Sequence, residues 1–130
     1  MRKIVAFLAL LLIVTIGGCN RSDDFKDTIT KGTWRADYFQ ESGDDHTGVF
    51  AGYIFTFLAD GKVTVTRPGT TPPVGYWNEY NSGTRMQFNF GSTTPLDKLN
   101  DDWVIDRFDD SEARFHMLSA PATQLILQKI

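Results

Sequence analysis

The strongest structural signal in this chain lies at residues 52–67, which read GYIFTFLADGKVTVTR. The first half is rich in aromatic and β-branched residues, and such residues favour strands. Asp60-Gly61 is a turn dipeptide, and after it Val63 and Val65 alternate with polar residues. Because side chains of a strand point to opposite faces in turn, this pattern predicts a β-hairpin whose two valines face a hydrophobic core.

Similar runs recur along the chain at a spacing of about 8–12 residues, which is typical of an all-β sandwich or barrel. Short loops separate most of them, so strands that are neighbours in sequence should pair in space. We predict an eight-stranded antiparallel up-and-down barrel, because closure leaves no free sheet edge, with a flattened sandwich-like roll as the alternative. The predicted strands are 33–39, 52–58, 62–67, 74–80, 84–90, 103–108, 112–118 and 123–130. A short helical turn containing Phe25 and Ile29 should precede the first strand, and a short helix should cover residues 94–100.

Alternation within the strands sorts side chains between the inside and the outside of this barrel. The residues placed inside are Phe55, Phe57, Val63, Val65, Trp77, Met86, Phe88, Phe90, Trp103, Ile105, Ala113, Phe115, Met117, Leu125 and Leu127. An eight-stranded barrel is just wide enough to be filled by side chains or to hold one small ligand. So many large residues favour a filled core, and a ligand pocket near one end is the alternative.

Two sets of residues follow from these alternatives. If the barrel binds a small hydrophobic molecule, the candidate ligand-binding residues are Trp34, Tyr38, Tyr53, Phe55, Phe57, Trp77, Phe88 and Trp103. If the barrel is filled and docks an envelope protein instead, exposed apolar residues should mediate contact. The candidates for such exposure are Phe39, Phe50, Tyr76, Tyr80, Phe108 and Ile130.

The N-terminus has the composition of an export signal. Met1-Arg2-Lys3 is followed by an uncharged and mostly apolar run at 4–16, which matches the order of regions in a signal peptide. A membrane-spanning helix needs on the order of 20 residues, so this run is too short to be one. Cys19, the single cysteine of the chain, comes directly after it. An unpaired cysteine in an exported protein points to an intermolecular disulfide or a special thiol.

Residues 16–19, Ile-Gly-Gly-Cys, resemble the lipobox of bacterial lipoproteins. The resemblance implies that residues 1–18 are a signal peptide that is removed and that Cys19 is acylated, so that the membrane is a partner through its lipid chains. Residues 19–30 then form a lipidated tether with the helical turn, and 31–130 form the barrel domain. Asn20 in place of aspartate points to the outer membrane, and Asp23-Asp24 weakly resembles an acidic cluster that directs some lipoproteins of Bacteroidetes to the cell surface. A periplasmic and a surface location both remain open.

The barrel region resembles the lipocalins, and more closely the small lipocalin-like lipoproteins of Bacteroidetes-type bacteria. The motifs that carry the likeness are Gly32-Thr33-Trp34, a strand ending in Asp60-Gly61, Gly75-Tyr76-Trp77 and Asp101-Asp102-Trp103. The resemblance implies that Trp34 plugs one end of the barrel and that a basic residue, Lys129 or Arg114, stacks on it. It also implies binding of a small hydrophobic ligand.

Other chemistry has little support in the sequence. After loss of Arg2 and Lys3 with the signal, eleven basic and sixteen acidic residues give a net charge of −5. No basic patch is present, so we expect no nucleic-acid partner.

His46, within Asp44-Asp45-His46-Thr47, suggests a metal or acid–base cluster, but a solvated turn explains it better. The sequence has no nucleophile, metalloprotease or phosphate-loop motif. We therefore expect no enzyme activity, no cofactor and no metal.

Overall fold

The computed structural model describes residues 21–71 and 74–130 of the chain. The predicted signal peptide, Cys19 and the lipobox lie outside the described residues. No helix within the described residues is both long and apolar enough to cross a membrane. In chain order the elements are α1 Arg21–Ile29, β1 Trp34–Glu41, β2 Asp44–Asp45, a 3₁₀ turn Thr47–Phe50, β3 Ile54–Phe57, β4 Lys62–Thr66, β5 Gly75–Tyr80, β6 Arg85–Asn89, a second 3₁₀ turn Leu96–Leu99, β7 Asp102–Phe108, β8 Glu112–Met117 and β9 Gln124–Lys129.

Eight of these strands form a closed antiparallel barrel. Neighbours along the chain pair from β3 to β9, and β1 pairs with β9, from Trp34 opposite Lys129 to Gln40 opposite Gln124. β1 also meets β3, but only through Trp34 opposite Phe55. The two-residue β2 forms a small hairpin with the end of β1. The predicted eight-stranded barrel is therefore confirmed, and the helix expected at 94–100 is the shorter 3₁₀ turn Leu96–Leu99.

Alternation in the strands produces the core, as the sequence predicts. In the β3–β4 hairpin, Phe55 lies opposite Val65 and Phe57 opposite Val63, and all four side chains are buried. The remaining predicted inward residues are also buried, except for Met117, which is half-buried and packs against the core. Apolar burial contributes on the order of 25 cal/mol per Å², so this aromatic-rich core is the main source of stability.

Two side chains that were predicted to be exposed, those of Phe39 and Phe108, point towards the core instead, because β-bulges shift the alternation of their strands. In β1, Ala36 lies opposite Leu127 and Tyr38 opposite Ile126, which leaves Asp37 as an extra residue. A bulge shifts the alternation by one position. As a result Phe39 points inward and is 1% exposed, whereas Tyr38 lies on the outer side and is half-buried.

The second bulge lies in β7, where Asp106 is the extra residue between Ile105 and Arg107. It turns Phe108 inward, opposite Ala113, so that Phe108 packs on the core with its ring centroid 5.3 Å from that of Phe25. Phe50 is a third predicted exposure that is wrong. It belongs to the first 3₁₀ turn and its ring packs edge-on against Phe39 at 5.0 Å.

Helical segments close both ends of the barrel. Strand direction alternates, so the turns 58–61, 81–84 and 109–111 share one end with α1, which we call the α1 end. Phe25 and Ile29 of α1 are fully buried there. The opposite end, which we call the far end, carries both 3₁₀ turns, whose Phe50, Leu96 and Leu99 are buried. Neither end is an open mouth.

Replacing Phe39 by alanine tests the β1 bulge. Because Phe39 is buried, we expect Phe39→Ala to lower the free energy of unfolding by about 3–5 kcal/mol. Tyr38→Ala, at the outward neighbour, should lower it by about 1 kcal/mol or less. Urea denaturation followed by tryptophan fluorescence measures both. A larger loss for Tyr38→Ala than for Phe39→Ala would show that the bulge is misplaced.

Candidate functional site: a groove between β1 and β3

Seven of the eight candidate ligand-binding residues lie in the core, and Tyr38 does not join them. The rings pack against one another inside the barrel: Phe57 lies 5.8 Å from Trp77 and 6.0 Å from Phe88, measured between centroids. Such edge-to-face and tilted pairs are favourable arrangements of aromatic rings. Tyr38 faces outward, and its hydroxyl donates a hydrogen bond to Gln40 Oε1 at 2.5 Å. The side chains predicted to surround a ligand thus fill the space themselves.

Each tryptophan also fixes one of the segments that lie at the barrel ends. Trp34 Nε1 donates to the Ile29 carbonyl at the end of α1 at 2.9 Å, and Trp103 Nε1 donates to the Leu99 carbonyl of the second 3₁₀ turn at 3.0 Å. Trp77 Nε1 donates to Leu58 in the β3–β4 turn at 2.9 Å. Buried indole N–H groups need such acceptors.

Lys129 is the basic residue that stacks on Trp34. Its Nζ lies 5.1 Å from the centroid of the Trp34 ring, within the range of a cation–π contact. Arg114, the other residue that the sequence allowed, instead bonds Glu112 Oε1 at 3.0 Å. Glu112 and its hydrogen bond raise the pKa of the Arg114 guanidinium above its ordinary value. The contact predicted from the lipocalin resemblance is therefore present, and it adds to the closure of the α1 end.

A groove opens in the barrel wall where β1 and β3 separate beyond their single pair. Its volume is about 620 Å³, within the range of small-molecule sites. A second depression of about 370 Å³ adjoins it and shares Ile54 and Pro68 as lining residues. The apolar lining of the main groove is formed by Ala36, Phe50, Tyr53, Ile54, Pro68 and Ile130.

Charged groups border this apolar surface. Arg35 and Asp37 line the main groove and form an ion pair at 3.6 Å, with both side chains about half exposed. Arg67, in the adjoining depression, lies 4.9 Å from the ring centroid of Tyr53 and bonds its hydroxyl at 3.3 Å. A guanidinium held over a ring still has free donor directions. The groove therefore combines an apolar floor with charged groups at its border.

Of the predicted site residues, only Tyr53 lines the groove. The sequence analysis did not single out Ile54, Arg35 or Arg67, and it named Phe50 only as an exposed docking residue. The reason is that the groove depends on how far β1 and β3 separate, which alternation does not reveal. One signal was available in the sequence. The connection from β1 to β3, residues 42–53, is long for a meander and contains aromatic residues, and long loops are often functional.

A smaller cleft of about 270 Å³ lies between α1 and the β3–β4 turn. Glu79 is buried beneath it, and its Oε1 accepts from the Gly83 amide while Oε2 accepts from the Ser22 hydroxyl, each at 2.5 Å. Lys26 Nζ is 3.5 Å from Oε2. These partners satisfy the carboxylate, so its role is to hold α1 on the barrel. Trp77 lies two residues earlier in β5 and points inward, so alternation places the Glu79 side chain on the inner side as well.

Aspartates of the loops stabilise turns, and His116 instead pairs with an aspartate of the neighbouring strand. Asp45 accepts from the hydroxyl and amide of Thr47, and these bonds lower the pKa of its carboxyl. Asp109 accepts from the amide and hydroxyl of Ser111, which lowers its pKa in the same way. His116 Nδ1 lies 2.6 Å from Oδ1 of Asp106 at the β7 bulge. Within residues 21–71 and 74–130, no three histidine or acidic side chains cluster as metal ligands would.

The fold is a lipocalin-like eight-stranded barrel with a filled centre and a groove in its wall. The described structure is similar to the crystal structure of a DUF4847 family protein from Bacteroides vulgatus ATCC 8482, with a TM-score of 0.61. The similarity covers 80% of this chain and 96% of that chain at 17% sequence identity, and it shows the fold alone. No protein-family model matches the chain, and the search of curated proteins gives no match.

Two glycines with positive φ test how α1 is seated. A Cβ on Gly83, at φ +77°, would lie 2.6 Å from the carbonyl carbon of Arg21, whereas a Cβ on Gly91, at φ +63°, would meet nothing within 4 Å. We expect Gly91→Ala to destabilise the protein by about 1 kcal/mol through its backbone alone. Gly83→Ala should cost roughly 2–4 kcal/mol, because steric overlap adds to the same strain. Equal losses in urea denaturation would contradict the packing of α1 on Gly83.

Proposed function

We propose that this protein is a lipid-anchored binding protein of the bacterial cell envelope that takes a small amphipathic molecule into the groove between β1 and β3. The observation that carries the proposal is the groove itself, about 620 Å³ in volume, with an apolar floor and a charged border. The function we propose is binding without catalysis. The barrel acts as a rigid support, and the wall rather than the centre carries the site.

The interior is a poorer candidate for the ligand than the groove. A ligand inside the barrel would have to displace rings such as Phe57 and Phe88, which are 1% and 2% exposed. Opening a core of this kind forfeits packing worth several kcal/mol per large side chain. The groove needs no such rearrangement, because Tyr53 and Ile54 already form its floor.

The chemistry of the groove indicates the class of ligand. An apolar body would lie against Ile54 and Tyr53, and a polar or anionic group would lie towards Arg67 or Arg35. Arginine is suited to anionic groups because its planar guanidinium offers several donors in a fixed geometry. A purely hydrophobic ligand would leave these charges without a role in binding.

A matched pair of isoleucine substitutions tests the groove. Ile54 lines it, whereas Ile126 is a half-buried isoleucine on the outer side of β9, opposite Arg114 and Tyr38. We expect Ile54→Glu to weaken binding of the neutral fluorescent probe N-phenylnaphthylamine about tenfold or more, because the charge disrupts the apolar floor. Ile126→Glu should leave the affinity unchanged. No binding by the unaltered protein, or equal effects of both changes, would refute the groove as the site.

We also propose that acyl chains on Cys19 anchor the protein to the outer membrane. Two or three chains hold a protein stably, since each buried CH₂ contributes about 0.8 kcal/mol. Asn20 supports the outer membrane as the destination. Asp23 and Asp24 lie in the first turn of α1, where carboxylates also stabilise the helix dipole. Their helix position therefore gives them a structural role beside any role in surface export.

The anchor is tested by replacing Cys19. We expect Cys19→Ser to abolish acylation, so that the protein leaves the membrane fraction of fractionated cells. Mass spectrometry of the membrane-bound protein should show acyl groups on Cys19 and no residues 1–18. Retention of the Cys19→Ser protein in the membrane fraction would refute lipid anchoring.

A protein partner is the second candidate function, and the exposed part of β5 favours it. Val74 and Tyr76 are about half exposed, and Tyr76 lies on the outer side of β5. Their exposure and the filled core suit a barrel that docks an envelope protein. Crosslinking in cells through a photoreactive residue at position 76 would capture a reproducible partner if this function holds.

A further inference from the structure

The first residue of α1 is clamped to the α1 end of the barrel. Arg21 Nε donates to the Gly83 carbonyl at 2.7 Å, and Arg21 Nη2 donates to the Ile105 carbonyl at 2.9 Å. The same guanidinium lies 5.2 Å from the centroid of the Phe108 ring. Charge-assisted hydrogen bonds to the β5–β6 turn and to β7 hold the helix start in one position.

The rest of α1 is equally fixed. Phe25 and Ile29 are fully buried, and the backbone of Arg21 and Ser22 packs so closely on Gly83 that no Cβ would fit between them. Glu79 binds Ser22 and Lys26 from below. The helix is therefore part of the barrel body, and it cannot serve as a flexible linker between the barrel and a lipid anchor.

This leaves very little chain between the anchor and the barrel. Cys19 precedes Arg21 by two residues, and two residues of fully extended chain span about 7 Å. Acyl chains attached at Cys19 enter the hydrocarbon of the bilayer at the headgroup level. The backbone of Arg21 must then lie within about 7 Å of the headgroup level.

We propose that the short link from Cys19 holds the surface at the α1 end of the barrel against the phospholipid headgroups and keeps the barrel upright on the membrane, with the far end pointing away. This rests on the acylation of Cys19 proposed above. The surface consists of the start of α1, the β5–β6 turn at 81–84 and the β7–β8 turn at 109–111. Asn81 and Ser82 at its tip are exposed and uncharged, so they can hydrogen-bond headgroups. Asp23, Asp24, Asp109 and Asp110 of the same surface are exposed and acidic, so the short link to Cys19, and not charge attraction, is what holds this surface at the headgroups.

The orientation has a consequence for the groove. Ile130, which lines one end of the groove, bonds the Thr33 carbonyl through its amide at the α1 end, whereas Pro68 at the other end follows β4 at the far end. The groove therefore runs along the wall away from the membrane, with Ile130 nearest to the lipid. An amphipathic molecule can reach it from the bilayer surface as well as from the aqueous side.

Two serines at opposite ends of β6 provide the test. Ser82 lies beside Arg21 at the α1 end, Ser92 lies beyond β6 at the far end, and both are exposed. The five residues of β6 alone separate these ends by about 14 Å. Because Cys19 is acylated, a cysteine introduced by Ser82→Cys or Ser92→Cys is the single thiol available for a fluorescent label.

The labelled, acylated proteins are reconstituted into phosphatidylcholine vesicles that carry a nitroxide quencher on the lipid headgroup. We expect the label at position 82 to be quenched several-fold more strongly than the label at position 92. A ten-residue Gly-Ser insertion between Asn20 and Arg21, which spans about 17 Å as a random coil, should remove most of the difference while the protein still sediments with the vesicles.

The outcomes separate the two proposals. Equal quenching at both positions in the uninserted, vesicle-bound protein would overturn the upright docking and leave the lipid anchor in place. A mature protein without acyl groups, which does not sediment with the vesicles, would overturn both. A difference that persists unchanged in the inserted protein would overturn the short link as the cause of the orientation, because the α1 end would then bind headgroups by itself.

Discussion

The pairing of the first strand with the last is the constraint on which this structure depends. β1 hydrogen-bonds β9 from Trp34 to Gln40, and this closes the sheet into a barrel. β1 cannot follow β3 over the same length, and the two strands share one residue pair before they separate. The interaction that closes the core thus also opens the groove in the wall. Closure and a candidate binding surface have the same origin.

The centre of the barrel contributes stability, and its surface carries the functional candidates. Trp34, Trp77 and Trp103 each pack in the core and donate a hydrogen bond to a segment at one end of the barrel. The rings around them leave the interior filled. In a barrel of eight strands the space is only just sufficient for these side chains, so a ligand is better accommodated in the gap between two strands. The same economy of space explains why both ends are covered by short helical segments.

The seating of α1 links the fold to the membrane anchoring that we propose. Arg21, Ser22 and Lys26 attach the helix to β5, β7 and the turn at Gly83, so the expected tether is mostly part of the folded body. If Cys19 is acylated as we propose, so short a link makes orientation on the membrane a property of the barrel. A groove on the wall of a barrel held upright in this way would keep access to both the lipid surface and the solvent.

The sequence by itself determined the strands and most of the inward faces, because alternation and turn residues are local signals. It predicted the barrel with a flattened roll as the alternative, and the long-range pairing of β1 with β9 decided between them. It also placed Trp34 and its basic partner, although it could not choose between Lys129 and Arg114. Only the tertiary structure decided where Phe39 and Phe108 point, since bulges at Asp37 and Asp106 arise from the register with neighbouring strands. The groove was likewise out of reach of the sequence. It is a distance between two strands, and no residue in either strand encodes that distance alone.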